Sequence, residues 1–312
     1  MQLLDTCHLT IETHVQEIAA AISRPEANDP LIPPQRGFWL RSTLLNPCSS
    51  DHPCPTMEDA IEAKAFIDLH QASHGRLPDE ERFECVSING GCTISLPRAP
   101  AIGLNRILGL TAPENLDEAY TWMRKKEGNR FLQVNIDTAS DELRHWIQSK
   151  GLVPHGPGWA KLGRNAHAMS LPPAGPVKTR KVLRDEAEAF GAMMCAGFGF
   201  PESLTALWAA IVGRDGWSCF FALDGETPVG TGTMFVSGSF AWLGGGTTVP
   251  SFRNRGAQKA LIHARLQEGT VRGVSTFVVE TEVPSPEKAN ISNANLAKMG
   301  FVHLYNRSNF IL

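Results

Sequence analysis

Residues 247–261, TTVPSFRNRGAQKAL, decide the fold of this chain. They run from the end of an apolar segment into a loop holding Arg253, Arg255 and Gly256, and then into a helical pattern. The first backbone N–H groups of a helix have no intrahelical partner, and the helix dipole is positive there, so that an anion binds readily. Gly256 allows close backbone approach, and the nearby basic side chains add charge. The stretch predicts a strand, a pyrophosphate cradle and a helix.

The cradle differs from two common nucleotide-binding loops. It lacks the Lys-Ser/Thr ending of a Walker loop and the G-x-G-x-x-G of a dinucleotide fold. The order R-x-x-G-x-(G/A) after a strand ending in T-x-V resembles the acetyl-CoA loop of the GCN5-related N-acetyltransferase (GNAT) family. Arg253 and Gly256 match this order, whereas Gln258 stands where the family most often has Gly or Ala.

Composition narrows the class of protein. The 312 residues are 42% hydrophobic and carry a net charge of -3, which favours ordinary globular cores and gives no reason to expect nucleic acid or an anionic membrane as partner. There is no apolar run of about 18 residues and no signal-peptide pattern, so we expect a cytoplasmic protein. Seven scattered cysteines indicate reduced thiols, and no spacing predicts a metal site.

A proline-rich segment, residues 171–177 (LPPAGPV), marks the predicted boundary between two domains, 1–170 and 178–312. Periodicity, caps and turn residues predict the elements on either side. Helices are predicted at 11–22, from a Thr56 cap, at 116–126, from a Ser140 cap to 151, and at 185–196, 202–212, 257–268 and 290–299. Strands are predicted at 37–45, 83–88, 92–96, 102–110, 131–136, 217–223, 229–236, 240–249, 275–282, 301–305 and 310–312.

The two halves end in the same order, with a strand, a helix, a Gly-Leu or Gly-Phe pair and final strands, which indicates a duplicated plan. The first-half counterpart of the cradle falls at residues 110–118. There Glu114, Asp117 and Glu118 satisfy the helix start and repel phosphate, so we predict that this half binds no CoA. The alternative is that these acids are ordinary helix-start residues and that no repeat exists. We predict an α/β fold of two tandem GNAT-like domains, each a mixed, mostly antiparallel sheet flanked by helices.

The resemblance, which covers residues 177–312, implies acetyl-CoA as acyl donor. It implies that backbone groups of residues 247–249 pair with the pantetheine arm and that the cradle holds the pyrophosphate. Asn290, at the start of the last helix, matches an Asn that touches pantetheine in the family, although capping alone explains it. The predicted cofactor residues are Thr247, Thr248, Val249, Arg253, Asn254, Arg255, Gly256, Ala257, Gln258 and Asn290.

Acyl transfer to an amine needs a base for the ammonium proton and a proton for the thiolate. Glu280 and Glu282 lie two apart on a strand and project from one face, and either is a candidate base, with Glu280 preferred. The alternative is that they are exposed or paired with Arg253 or Arg255. The family often has a Tyr at the position of Leu296, so Tyr305 is the remaining candidate acid, alongside water or the amine itself.

The predicted function is acetyl-CoA-dependent N-acetylation of a small-molecule or peptide amine by direct attack on the thioester. In this prediction the first half is a scaffold beside the acceptor cleft, and the protein is a monomer or homodimer. A rival from another class is a non-catalytic CoA-binding sensor or interaction protein. A third hypothesis is a nucleotide-binding protein that holds ATP in the same cradle.

Overall fold

The computed structural model describes residues 55–167, 175–285 and 289–312. The predicted helix at 11–22 and the predicted strand at 37–45 lie outside these ranges, as do residues 171–174 of the predicted linker. We call residues 55–167 the N-terminal half and residues 175–312 the C-terminal half. The predicted domain limits stay a prediction.

Twelve strands in the described residues form one continuous mixed sheet across both halves. Its order is β1-β2-β3-β4-β12-β6-β11-β10-β9-β8-β7, with the short β5 beside β12. The strands are β1 (Glu84–Ile88), β2 (Gly91–Ser95), β3 (Asn105–Leu108), β4 (Phe131–Val134), β5 (Val153–Pro154), β6 (Trp159–Asn165), β7 (Lys178–Lys181), β8 (Trp217–Asp224), β9 (Thr227–Ser237), β10 (Phe240–Thr248), β11 (Thr276–Glu282) and β12 (Val302–Ile311).

Seven α-helices are present in the described part of the chain: α1 (Met57–Ser73), α2 (Pro113–Met123), α3 (Asp141–Ser149), α4 (Ala187–Phe198), α5 (Thr205–Ala209), α6 (Ala257–Val271) and α7 (Ile291–Lys298). Thr56 and Ser140 cap α1 and α3 through their side chains, as predicted. One apolar core joins α1 of the N-terminal half to α4 and α5 of the C-terminal half. Three further apolar clusters lie under α2 and α3, under α6 and α7, and between β8, β9 and the first turns of α6.

The same strand plan occurs in both halves. In the N-terminal half, β2 and β3 are antiparallel, and α2 crosses over to the parallel strand β4. In the C-terminal half, β9 and β10 are antiparallel, and α6 crosses over to the parallel strand β11. This confirms the predicted mixed α/β fold with a helix-flanked, mostly antiparallel sheet.

The halves exchange their closing strands. β6, from the N-terminal half, pairs with β11 of the C-terminal half along residues 159–165. β12, the last strand of the chain, pairs with β6 through residues 302–307 and then with β4 through residues 308–311. Each half is therefore completed by hydrogen bonds to the other, and the halves are not two separate sheets.

Several elements differ from the sequence-based prediction. The segment of β7, KTRK, has no alternating apolar face, so periodicity did not indicate an edge strand there. The predicted helix at 202–212 is a 3₁₀ turn followed by the short α5. β12 is one strand where two apolar runs were predicted, because Arg307 in its polar middle is buried by ion pairs, which a hydrophobicity pattern does not detect.

A buried charge network fastens the two halves together beneath α1. It comprises six side chains, which we call the interhalf network: Asp59, Glu62, Arg106, Lys161, Glu280 and Arg307. Glu62 is at its centre and is fully buried. One Glu62 oxygen lies 2.5 Å from Arg106 Nη2, and the other accepts from Lys161 and lies 3.0 Å from Arg307 Nη2. Three cations therefore face three carboxylates, one of which, Glu280, comes from β11.

Glu62 is ionised although it is enclosed. Burial by itself raises the pKa of a carboxyl group. Here the charges of Arg307, Lys161 and Arg106 outweigh burial and hold the pKa of Glu62 well below its usual value. The network therefore depends on each cation, since removing one leaves a buried carboxylate undercompensated.

We predict that Lys161→Met destabilises the protein by about 3–5 kcal/mol, because it breaks a fully buried ion pair. Lys181→Met is the matched control: the Lys181 side chain is 58% exposed where it pairs with Glu268, so its loss should cost about 1 kcal/mol or less. Denaturant unfolding of the two variants measures the difference. Equal destabilisation would show that the network contributes no more than a surface pair.

The lowered pKa of Glu62 also predicts an acid-dependent loss of stability. The stabilisation is complete above the unfolded-state pKa of about 4.3 and is lost as pH falls through the folded-state pKa. As pH falls below ~4.3, the slope of unfolding free energy against pH should therefore become lower in Glu62→Gln than in wild type, by a difference that rises toward about 1.4 kcal/mol per pH unit. Unfolding curves measured from pH 5 to 3 test this, and parallel slopes would contradict it.

Candidate functional site

A wedge-shaped opening separates β10 from β11. The parallel pairing of the two strands covers only Phe240–Trp242 with Thr276–Val278. Beyond it β10 continues beside β9 to Thr248, while β11 continues beside β6 to Glu282. The gap holds a cavity of about 310 Å³, which we call the wedge.

A β-bulge lies on the β10 side of the wedge. The register with β9 shifts between Gly244 and Thr247, which takes Gly245 and Gly246 out of regular pairing. Gly245 has a positive φ of 56°. Residues 244–246 all line the wedge, so backbone rather than side chain forms this wall.

The predicted cradle follows directly. A 3₁₀ turn at Pro250–Phe252 leads to Gly256, which is the N-cap of α6 with φ 97°, a conformation that favours glycine. The first helical backbone bond runs from Ala260 N to Gly256 O. No side chain caps this helix start, so its first-turn N–H groups point out of the helix without an intrahelical acceptor. This is the geometry that holds a phosphate.

A cavity of about 490 Å³ covers the cradle, and we call it the cradle cavity. Seven of the predicted cofactor residues line it: Thr247, Thr248, Arg253, Asn254, Gly256, Ala257 and Gln258. The other three lie elsewhere. Val249 is buried, Arg255 lines a neighbouring depression with Lys259, and Asn290 lines the wedge.

The predicted basic residues have local partners. Arg253 Nε donates to Thr248 O at 3.2 Å, which folds its side chain back onto the strand. Arg255 is mostly exposed, lies 3.7 Å from Asp224 and sits over the Phe252 ring. Lys259 lines both the cradle cavity and the depression beside it.

Gln258 and Asn290 connect the walls of the site. Gln258 Nε2 donates to Ser292 Oγ at 2.8 Å, and Gln258 Oε1 accepts from Asn295 at 2.7 Å, which ties α6 to α7. Asn290 caps α7 and donates to Glu282 O at 2.6 Å. Asn290 therefore has the capping role that was the alternative to a cofactor contact in the sequence-based prediction.

Both candidate bases line the wedge, but they differ in surroundings. Glu280 belongs to the interhalf network, and both of its oxygens accept guanidinium N–H groups, from Arg106 at 3.1 Å and from Arg307. Glu282 lies near the outer end of β11 and is half-buried. Thr281 points to the opposite face, where it accepts from Asn293. The partners of Glu280 are thus Arg106 and Arg307, not Arg253 or Arg255.

Tyr305 is not brought to the wedge. Its hydroxyl donates to Asp59 at 3.0 Å and lies 3.0 Å from Thr56 Oγ1. Burial, together with the negative charge of Asp59, raises the pKa of Tyr305. Leu296, the position where the family often has Tyr, is buried and lines the wedge.

The wedge residues that were missed from sequence include Trp159 of β6, Phe198 of α4 and Arg265 of α6. Trp159 comes from the N-terminal half and reaches the wedge only because the closing strands are exchanged. Arg265 occupies a helix position that a sequence pattern assigns to solvent, although it is only 4% exposed. No local signal in the sequence marks Trp159 or Arg265 as a residue of the site.

One of the acids at the start of α2, Asp117, also has structural partners. Asp117 accepts from Trp146 Nε1 at 3.0 Å and pairs with Lys150 at 2.7 Å, and these contacts lower its pKa. Asp117 therefore ties α2 to α3. The prediction that this half binds no CoA stays a prediction.

The described residues contain neither of two further classes of site. No group of three or more His, Cys, Asp or Glu side chains there is arranged to hold a metal. No helix there is long and apolar enough to cross a membrane.

Burial raises the pKa of Cys195 to about 11 and also raises that of Cys219, so both thiols are protonated at neutral pH.

No protein-family model and no curated protein matches the sequence. Solved structures do match. A GCN5-related N-acetyltransferase from Kribbella flavida is similar at 12% identity and a TM-score of 0.53, over 82% of this chain and 96% of that one. Another from Sphaerobacter thermophilus has 13% identity and a TM-score of 0.51, over 83% and 94%.

A tandem GNAT protein from the clavulanic acid biosynthesis pathway matches at 14% identity and a TM-score of 0.50, over 81% of this chain and 92% of that one. At these identities the likeness shows the fold alone. The architecture is identified by these matches together with the two parallel-strand crossovers and the exchanged closing strands. The chain has the GNAT fold, in an arrangement similar to that of a tandem GNAT protein.

Proposed function

We propose that this protein is an acetyl-CoA-dependent N-acetyltransferase that acts on a small-molecule or peptide amine. The main observation in support of this proposal is that the cradle cavity and the wedge adjoin each other. Phe198, Gly246 and Gln258 line both the cradle cavity and the wedge. A ligand whose phosphates lie at the start of α6 can therefore extend along β10 into the wedge.

The residues present fit an acyl-CoA. The first-turn N–H groups of α6 have no capping side chain, and the cradle cavity is lined by the unpaired edge of β10. Acyl-CoA supplies an activated thioester, so no protein nucleophile is required. In the proposal Thr247 and Thr248 pair with the pantetheine amides, and Arg253, Asn254 and residues 256–258 hold the pyrophosphate. The bulge at Gly245 and Gly246 offers backbone groups to the thioester oxygen.

The amine is placed on the carboxylate side of the wedge. Glu280 has both oxygens engaged by Arg106 and Arg307, so in the proposal it attracts and orients the ammonium group rather than removing its proton. Glu282, the other carboxylate in the wedge, is proposed as the base, directly or through water. Leu296 offers no proton to the departing thiolate, so water or the amine supplies it.

The N-terminal half is proposed as a scaffold that shapes the acceptor side. Trp159 contributes a wall, and the interhalf network fixes Glu280 from α1, β3 and β12. We expect a monomer or homodimer. Position 296 holds Leu and not Tyr, which favours the second candidate, a non-catalytic CoA-binding sensor. The following test distinguishes the enzyme from the sensor.

We predict that acetyl-CoA is consumed only in the presence of an acceptor amine. Thiol release is measured against polyamines, amino acids, aminoglycosides and peptides, and mass spectrometry counts the acetyl groups transferred. Glu282→Gln should lower kcat about 100-fold with little change in CoA binding, the range for loss of a general base. CoA binding without turnover on any amine would favour the sensor, and stabilisation by ATP exceeding that by CoA would favour a nucleotide-binding protein.

We predict that Gly256→Glu weakens acetyl-CoA binding at least about tenfold, because it puts a carboxylate at an anion site and strains the backbone. Gly273→Glu is the matched control: it makes the same change at a positive φ of 79°, in open space beyond the other end of α6. Calorimetric titration measures both affinities, and unfolding curves check that both variants fold. Unchanged affinity in Gly256→Glu would place the cofactor elsewhere.

A further inference from the structure

Arg265 is a buried cation without a carboxylate partner in the described part of the chain. It lies in the third turn of α6. Its Nε donates to Leu261 O at 3.0 Å, and its Nη1 donates to Thr233 O at 3.1 Å and to Gly244 O at 3.0 Å. Its Nη2 has no hydrogen-bond partner among the described residues. The guanidinium is therefore fixed in position with one donor group unused.

Such a group is costly to keep inside a protein. Burial lowers the pKa of Arg265 to about 10, so it still carries its charge at neutral pH. Three carbonyl dipoles compensate it only in part, because a buried cation is best matched by an anion. A carboxylate that reached Nη2 would gain a charge-assisted hydrogen bond from a donor that is already immobilised.

Nη2 is directed toward the junction of the two cavities. Arg265 lines the wedge. A Cβ atom placed on Gly246 would stand 3.7 Å from Nη2, and Gly246 lines both the wedge and the cradle cavity. The absence of a side chain at residue 246 therefore leaves the guanidinium accessible from the place where the thioester is proposed to lie.

The wedge has opposite charges on its two sides. Arg265 approaches from α6, on one face of the sheet. Glu280 is directed to the other face, toward Glu62 of α1, through their shared partners Arg106 and Arg307. A cationic amine is drawn to the carboxylate side, which leaves the α6 side for the acyl group. The unused donor of Arg265 thus faces the acyl chain and not the amine.

We propose that Arg265 binds a carboxylate at the end of the acyl group, so that the preferred donor is the CoA thioester of a short dicarboxylic acid, of the malonyl or succinyl class. This rests on the proposed N-acyl transfer and revises its donor, because acetyl-CoA would then be a substrate of lower kcat/KM than the dicarboxylic thioester. The ammonium group gives one proton to the base, and the amine nitrogen forms a bond to the thioester carbonyl carbon as the C–S bond breaks. The second proton of the nitrogen passes to the departing thiolate, directly or through water, so that CoA leaves as the thiol. The product is an amide with a free carboxylate.

The test compares acetyl-, malonyl- and succinyl-CoA with wild type, Arg265→Met, Arg265→Lys and Gly246→Ala. In wild type, kcat/KM for one of the dicarboxylic donors should exceed that for acetyl-CoA by at least about tenfold, the effect of one charge-assisted hydrogen bond. Arg265→Met should remove this preference, and Arg265→Lys should retain part of it. Gly246→Ala leaves Arg265 in place and covers Nη2 at ordinary contact distance, so it should also remove the preference without loss of thermal stability.

A wild-type preference for acetyl-CoA would overturn the inference. So would an equal loss for all three donors in Arg265→Met and Gly246→Ala, which would show that Arg265 serves the common thioester or the fold. Calorimetric titration with the three thioesters tests the Arg265 site separately from the proposed acyl transfer. If no acyl group moves to any amine, the proposed function fails, whereas tighter binding of the charged thioesters that is lost in Gly246→Ala would still support the Arg265 site.

Discussion

The ionised carboxylate of Glu62 is the constraint on which the architecture depends. It sits on α1, fully buried, and accepts from cations on three different strands, β3, β6 and β12. A buried carboxylate is tolerated only when charge and hydrogen bonds compensate it, so these strands must meet beneath α1. The exchange of closing strands supplies that meeting, because it places β6 and β12 side by side at the centre of the sheet.

The exchange also shapes the wedge. β11 is held on its far side by β6 along seven residues, while β10 is held by β9. Each strand follows its own partner, and the two separate after three paired residues. The opening is therefore imposed by the neighbours of the two strands. Because Glu280 lies on β11 and pairs with Arg106 and Arg307, the network also fixes the carboxylate on one side of the opening.

Local signals predicted much of this molecule. The Asn-Gly turn between β1 and β2, the caps at Thr56 and Ser140, and the loop at 253–258 act over a few residues, and each is found where the sequence indicated. The partners of Glu280 and the placement of Tyr305 depend on strand pairing across more than a hundred residues. The inward direction of Arg265 depends on carbonyl groups 21 and 32 residues away, on neighbouring strands. No periodicity carries that information, because Lys161, Arg106 and Arg307 read as surface residues until their partners are known.

The two halves share a plan but use the space after the parallel strands differently. In the C-terminal half, β10 has nine residues and only its first three pair with β11, so a cavity remains. In the N-terminal half, β3 has four residues, and three pair with β4 up to its end at Leu108. Arg106 of β3 then reaches Gln133 of β4, whose amide donates to Asn309 of β12. Because the same guanidinium holds Glu280, side chains that close the gap in one half anchor the open site of the other.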